Sequence, residues 1–400
     1  MPDLGAHAMS EQWFANCGGL DNFLAEYWQR KPLLIRQALP DFSSPIEADE
    51  LAGLALEEDI ESRLIVESKA SPYWTLQCGP FAEDSFQSLP PSHWTLLVQA
   101  VDQWVPEVHE LLGHFDFLPQ WRVDDIMLSY AADQGSVGPH FDQYDVFLLQ
   151  ADGQRRWRLG QHCDANTPLL KGPALSIIND FEQSEEWLLE PGDMLYVPPG
   201  LAHWGVAEGE CMTYSVGFRA PRASELLGDL ATELLSKSSG NGSDELIYRD
   251  PALTAPMAKG VIDERFIAEV KNLLLRQLDD KEQLAQWFAR FMTTRKYPDL
   301  GLELDFEAEP EDEAEELSAS SINFDGDTIL TRHPASRFAA LAGDPANLAV
   351  DGELYHCSQA FATTLADCRS LPISELGTLE PRDQALLDTL LDNGSLLVDV

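Results

Sequence analysis

Two histidines and an aspartate are the residues of this chain best suited to hold a metal ion. In GPHFDQYDV, His140 and Asp142 stand two apart, and side chains two apart on an extended segment point to one face. An imidazole and a carboxylate so placed can converge on a single ion. The third ligand must come from another strand. His203, in DMLYVPPGLAHWGV, lies just beyond a strand-like run and a Pro-Pro-Gly turn. Two histidines and one carboxylate form the facial set that leaves positions open on a non-haem iron(II). Zinc can use the same ligands. An HxD pair alone is weak, because most such pairs are surface or capping residues. Its strength here comes from the partnership with His203 in one strand-rich stretch.

An iron oxygenase needs a co-substrate that supplies two electrons. A 2-oxo acid does so through its oxo and C1 carboxylate oxygens, and a distal carboxylate then requires a buried cation. Arg155, in QADGQRRWRLG, is the candidate, since a guanidinium fork matches a carboxylate. ADGQ at 151–154 reads as a hairpin turn that returns Arg155 to the ligand cavity and leaves Arg156 and Arg158 on the outer face. Ser129, in IMLSYAA, can add a hydroxyl to the same carboxylate; Ser215 and Tyr214 in CMTYSVGF are alternatives. Asp133, Tyr144 and Asp145 are expected near the mouth, with Asp133 holding a cationic substrate side chain.

These residues need a scaffold. From Trp94 to Arg219 the runs IMLSYAA, YDVFLLQA, RRWRLG, SEEWLLE, DMLYVPP and CMTYSVGF read as short strands separated by turns, which suits an antiparallel sandwich or small barrel. Upstream, residues 1–95 mix short helices with strands. Downstream of Pro221, SELLGDLATELLSK, VIDERFIAEVKNLLLRQL and KEQLAQWFARFM are amphipathic helices. Phe266, Ile267, Val270, Leu274 and Leu278 line one face, to close the barrel or to pair with a second subunit. Residues 300–319 form an acidic linker. The segment 320–400 orders its strands and helices like a winged-helix module.

The chain has 68 acidic and 26 basic residues and a formal charge of −42. Such a surface repels nucleic-acid phosphates and either favours basic partners or serves solubility or a salty environment, between which charge alone does not choose. The last hundred residues hold 21 acids against four arginines and no lysine, which argues against a DNA-gripping role for the terminal module. Six cysteines without a CxxC pair exclude a disulfide scaffold and a cysteine-rich zinc knuckle. Neither a secretory leader nor an apolar membrane-length run is evident, so a soluble cytoplasmic protein is expected.

The segments WQRKPLLIR, VGPHFDQYDVFLLQADGQRRWRLG, EPGDMLYVPPGLAHWGV and YSVGFRAP together resemble the JmjC-type 2-oxoglutarate oxygenases, and within them the bacterial ribosomal oxygenases. The resemblance implies a mainly β catalytic core, a double-stranded β-helix or cupin-like jelly roll, at 96–221. It implies a helical dimerisation region at 222–299, hence a homodimer, and a winged-helix-like α+β domain at 320–400. The triad falls on His140, Asp142 and His203, the 2-oxoglutarate arginine on Arg155 and a co-substrate hydroxyl on Ser129. With Fe(II), 2-oxoglutarate and O2, the implied reaction hydroxylates the β-carbon of an arginine in ribosomal protein L16, giving 3-hydroxyarginine, succinate and CO2. Rival readings are histidine hydroxylation or N-methyl demethylation of a basic ribosomal protein, a non-catalytic acidic binding protein, and a cupin-like zinc hydrolase or isomerase.

Overall fold

A computed structural model describes residues 12–68, 73–171, 175–238, 246–253, 260–302, 328–343 and 346–399. All but the first three residues of the expected acidic linker lie outside them. The chain divides into two compact units, Met1–Ala220 and Pro221–Val400.

The first unit is built on one antiparallel sheet of nine strands, ordered β1-β8-β6-β9-β5-β4-β2-β3, with β7 paired to β6. These are β1 (Leu33–Ile35), β2 (Ser62–Glu67), β3 (Trp74–Cys78), β4 (Trp94–Val98), β5 (Val123–Ala131), β6 (Val146–His162), β7 (Glu185–Leu189), β8 (Met194–Val197) and β9 (Leu201–Phe218). The N-terminal segment extends this sheet through β1 to β3 and also packs on its core. Alternation sorts each strand between two faces. Ile126 and Leu128 of β5 join Phe147, Tyr196 and Phe218 in the main core, which also takes in Phe14 and Phe23 from the N-terminal segment. Burying each large side chain is worth about 1.5–3 kcal/mol. The opposite face carries a smaller cluster of Val146, Leu148, Trp157, Leu159, Leu195 and Leu201.

ADGQ is not a hairpin turn. It lies inside β6, which runs unbroken for 17 residues against β9, with register shifts between Gln150 and Gln154. Gly153 takes φ 60°, and a Cβ there would meet Glu210 O at 2.0 Å, so the chain bulges rather than reverses. The extra residue changes which parity faces inward. Before the bulge Val146 and Leu148 line the smaller cluster; after it Trp157 and Leu159 do. Arg155 thus turns inward. Arg156 and Arg158 lie outward, paired with Glu186 and Glu208. Likewise, the run expected as a separate strand at CMTYSVGF is the second half of β9.

In the second unit, α2 (Ala223–Ser238), α3 (Glu264–Arg276) and α4 (Lys281–Thr293) follow α1 (Ala48–Leu54) of the first. Asp263 caps α3 by accepting from Arg265 N, and Asp280 caps α4 by accepting from Gln283 N. Trp287 Nε1 of α4 donates to Asp229 Oδ1 of α2 at 2.7 Å. Two three-stranded antiparallel sheets complete the unit. One orders β14 (Ser370–Pro372), β10 (Ile329–Arg332) and β15 (Leu396–Asp399); the other orders β11 (Phe338–Leu341), β12 (Ala346–Val350) and β13 (Glu353–Cys357). They share a core with α5 (Gln359–Asp367) and α6 (Pro381–Asp392) through Leu330, Phe338, Leu348, Phe361, Leu365 and Leu390. Thr293 Oγ1, at the end of α4, accepts from Gly352 N at 3.2 Å. This bond ties α4 to the terminal module as well as to α2. The apolar face of α3 is uncovered among the described residues, Ile267 being 59% and Leu274 63% exposed.

Candidate metal and co-substrate site

The loop 136–142 and the start of β9 position the three predicted ligands. His140 N donates to His203 O at 3.0 Å and His203 N to His140 O at 2.8 Å, a reciprocal bridge outside the named strands. This pairing fixes two residues 63 positions apart in sequence with ring centroids 4.3 Å apart. Ser136 holds the loop in place: its Oγ donates to Gly205 O and accepts from Gly138 N and Trp204 Nε1. Asp142 O accepts from Gly200 N at 2.7 Å.

Ligand atoms of His140, Asp142 and His203 all lie within 4.8 Å of one another, and His203 Nε2 is 3.6 Å from Asp142 Oδ2. His140 Nδ1 faces Gly138 O and His203 Nδ1 faces Leu201 O, at 2.9 and 3.0 Å. A carbonyl only accepts, so each Nδ1 carries the proton and each Nε2 presents a lone pair to the others. Burial first, then the neighbouring His140, push His203 down to about 4. It is therefore neutral near pH 7, the form that binds a metal. The donor set fits an octahedral ion with open positions.

Behind the triad lies a buried cation without a counter-charge. Arg155 is 2% exposed and forms no ion pair among the described residues. Its Nη1 donates to Ser129 Oγ at 3.3 Å, while its Nε is buried without a partner. Burial draws its pKa down, yet a guanidinium stays charged in any protein. Leaving it unneutralised costs several kcal/mol, a cost that an anionic ligand would offset. Gly205 makes the room. A Cβ there would meet Arg155 Nε at 2.6 Å and two Trp157 ring carbons at 2.8 Å. The residues present thus fit a metal-bound 2-oxo acid with a distal carboxylate.

The mouth differs from expectation. Tyr144 is 42% exposed, and Asp142, then burial, then Asp125 raise its phenol, so it remains an O–H donor. Asp133 is not brought to the triad. It sits in the turn after β5, accepting from Gly209 N at 2.9 Å, six strand residues or about 20 Å beyond His203. That bond, first of several, lowers its pKa and gives it a turn-stabilising role. Asp145 is fully buried, accepting from Tyr196 Oη, Gln29 Nε2 and Arg122, where it fastens the N-terminal segment to β8. Tyr214 bonds Ser44, away from Arg155. The carboxylate missed in the sequence is Asp125. It lies on the Ser129 face of β5, four residues away, which strand alternation alone would have indicated. A Cβ on Gly217 would lie 3.8 Å from Asp125 Oδ1 and 4.0 Å from Tyr144 Cε2, so the two flank one glycine. Asp125 Oδ2 accepts from Gln99 Nε2 at 2.7 Å.

Residues 110–226 match the JmjC domain, and residues 276–397 a ROXA-like winged helix. The ribosomal protein uL16 3-hydroxylase of Escherichia coli is 37% identical over 282 residues, covering 69% of this chain and 72% of that one. This chain belongs to the JmjC ribosomal oxygenases. A probable ribosomal oxygenase of Haemophilus influenzae is 38% identical, covering 69% of each chain. The solved structure of the E. coli ribosomal oxygenase YcfD in complex with cobalt and 2-oxoglutarate aligns with a TM-score of 0.76 at 31% identity, over 95% of this chain and 98% of that one. In the oxygenase described here, the winged-helix match begins before α4, in keeping with the attachment of that helix to the terminal module.

Proposed function

We propose that this ribosomal oxygenase hydroxylates the β-carbon of an arginine in ribosomal protein L16, using Fe(II), 2-oxoglutarate and O2. The observation that carries the reading is Arg155, a buried cation with no ion pair among the described residues, behind a His-Asp-His triad. His140, Asp142 and His203 would hold the iron. Bound there, iron with 2-oxoglutarate supplies the oxidising power, one oxygen atom entering the C–H bond and the other the succinate formed as CO2 leaves. Arg155 and Ser129 hold the distal carboxylate.

At the mouth, Asp125 and Tyr144 receive the substrate guanidinium, the carboxylate accepting its N–H groups. The charge of −42 draws a basic ribosomal protein towards the site and keeps free nucleic acid away. The uncovered face of α3, with Ile267, Val270 and Leu274, pairs two copies of the chain. No helix among the described residues is long and apolar enough to cross a membrane, and a ribosomal substrate places the work in the cytoplasm.

The test incubates iron-loaded protein with an L16 fragment, with and without 2-oxoglutarate and air, and reads fragment mass and sequence. Gain of one oxygen on an arginine, lost in His140→Ala, supports the reading. Gain on a histidine, or loss of a methyl group, keeps the chemistry and changes the substrate. No gain and no 2-oxoglutarate consumption by iron-loaded protein would overturn it in favour of a binding role.

A further inference from the structure

Arg63 of β2, Gln99 just after β4 and Asp125 of β5 belong to three neighbouring strands, with the half-buried glutamine in the middle. Gln99 Nε2 donates to Asp125 Oδ2 at 2.7 Å, and Gln99 Oε1 accepts from Arg63 Nη2 at 2.9 Å. The amide can stand only one way round, because a guanidinium only donates and a carboxylate only accepts. Two further contacts keep Arg63 in place, Met127 Sδ at 3.8 Å and Glu61 Oε1 at 3.9 Å. Met127 lies two residues from Asp125 on the same face of β5, so the cation faces the mouth of the site.

Strands separated by one neighbour are about 10 Å apart. An arginine, an aspartate and one hydrogen bond between them can close that gap. A direct fork would be the stronger contact, since charged partners outdo a neutral amide, and Asp125 is buried, 3% exposed. The fold instead interposes a side chain without charge. We propose that Gln99 is a positioning residue: it keeps Arg63 from pairing with Asp125, so that Arg63 does not compete with the substrate guanidinium for that carboxylate. The inference rests on the reading of Asp125 as the seat of that guanidinium. It explains how a permanent cation can stand at the mouth of a site that takes a cationic side chain. Gln99 thereby sets the affinity for the substrate arginine without touching it, the iron or 2-oxoglutarate.

Three variants of the full chain test this: Gln99→Ala, Arg63→Ala and the double variant, each assayed by hydroxylation of an L16 fragment. Gln99→Ala should raise KM for the fragment about tenfold, keep kcat at saturating fragment and leave KM for 2-oxoglutarate unchanged. Its crystal structure should show an Arg63 nitrogen within about 4 Å of an Asp125 oxygen. Arg63→Ala should not raise KM. The double variant should return KM to near the wild-type value, which lost packing at Gln99 could not do. A double variant as impaired as Gln99→Ala, or a Gln99→Ala crystal in which Arg63 stays with Met127 and Glu61, would sink the proposal. Wild-type protein that consumes 2-oxoglutarate but hydroxylates no arginine of the fragment would remove the arginine reading, and with it the role given to Gln99.

Discussion

Replacing Arg155 by methionine should make the ligand-free protein more stable while abolishing its hold on 2-oxoglutarate. The guanidinium is 2% exposed and has no ion pair among the described residues; its partners are neutral, a long bond of 3.3 Å to Ser129, the Cys211 thiol and the Trp157 ring. Its burial costs several kcal/mol, against about 1–2 kcal/mol returned by those contacts. Methionine has similar length and no charge to desolvate. A net gain of about 1–2 kcal/mol follows, or roughly 2–8 °C in the melting temperature of a unit this size. With co-substrate the order reverses. Losing a charge-assisted fork costs about 3–5 kcal/mol, so affinity should fall by about two to nearly four orders of magnitude. Thermal unfolding of manganese-loaded protein, with and without 2-oxoglutarate, measures both effects at once. At a hundredfold excess over Kd the wild type gains about 2.7 kcal/mol, and the variant should gain nothing. A variant less stable without ligand and still stabilised by 2-oxoglutarate would refute the reasoning, because the guanidinium would then be a structural cation.

Three further outcomes are expected. Gly205→Ala should cost about 1–3 kcal/mol by overpacking and weaken 2-oxoglutarate binding, since the new Cβ would lie 2.6 Å from Arg155 Nε; calorimetry and urea unfolding report the two effects. Asp125→Asn should raise KM for an L16 fragment at least tenfold while leaving KM for 2-oxoglutarate unchanged, whereas Asp133→Asn should leave both near wild type. In metal-free protein His203, depressed to about 4, binds a proton far more readily when unfolded. Its contribution is complete above pH 6.5 and is lost as pH falls from there towards 4, about 2 kcal/mol between pH 7 and pH 5. Urea unfolding at the two pH values should show a loss smaller by about 2 kcal/mol in His203→Asn than in the wild type, since His333, also depressed to about 4 by burial, titrates in both.

The triad was legible because it rests on residue type and local spacing, whereas Arg155 was named through a hairpin turn and reaches the inner face by a bulge. Position in the fold was less legible. His140 and Asp142 share a face as alternation requires, but only one backbone bridge, not a full strand, holds them to β9. Gly153 marked an irregularity correctly, yet a glycine at positive φ serves a bulge as well as a turn, and pairing with β9 decides between them. Asp133 was misplaced because the length of the strand beyond the site cannot be read from the turn that precedes it. The exposed stripe on α3 was visible as a periodicity, while its lack of cover among the described residues needed the fold.

The bulge at Gly153 can be viewed as a frameshift written into a strand. Upstream of it β6 is read in one frame, downstream in the other, and the two frames assign opposite fates to neighbouring arginines. Arg155 goes to the ligand and Arg156 to the outer ladder with Glu186 and Glu208. Length at this point therefore carries meaning that composition does not. Removing one residue between Gln150 and Gln154 would leave every downstream letter intact, yet it would export Arg155 and Trp157 to solvent and carry Arg156 and Arg158 inside. Drift in this segment is consequently free to change side chains on the outer face but closed to single-residue insertions and deletions.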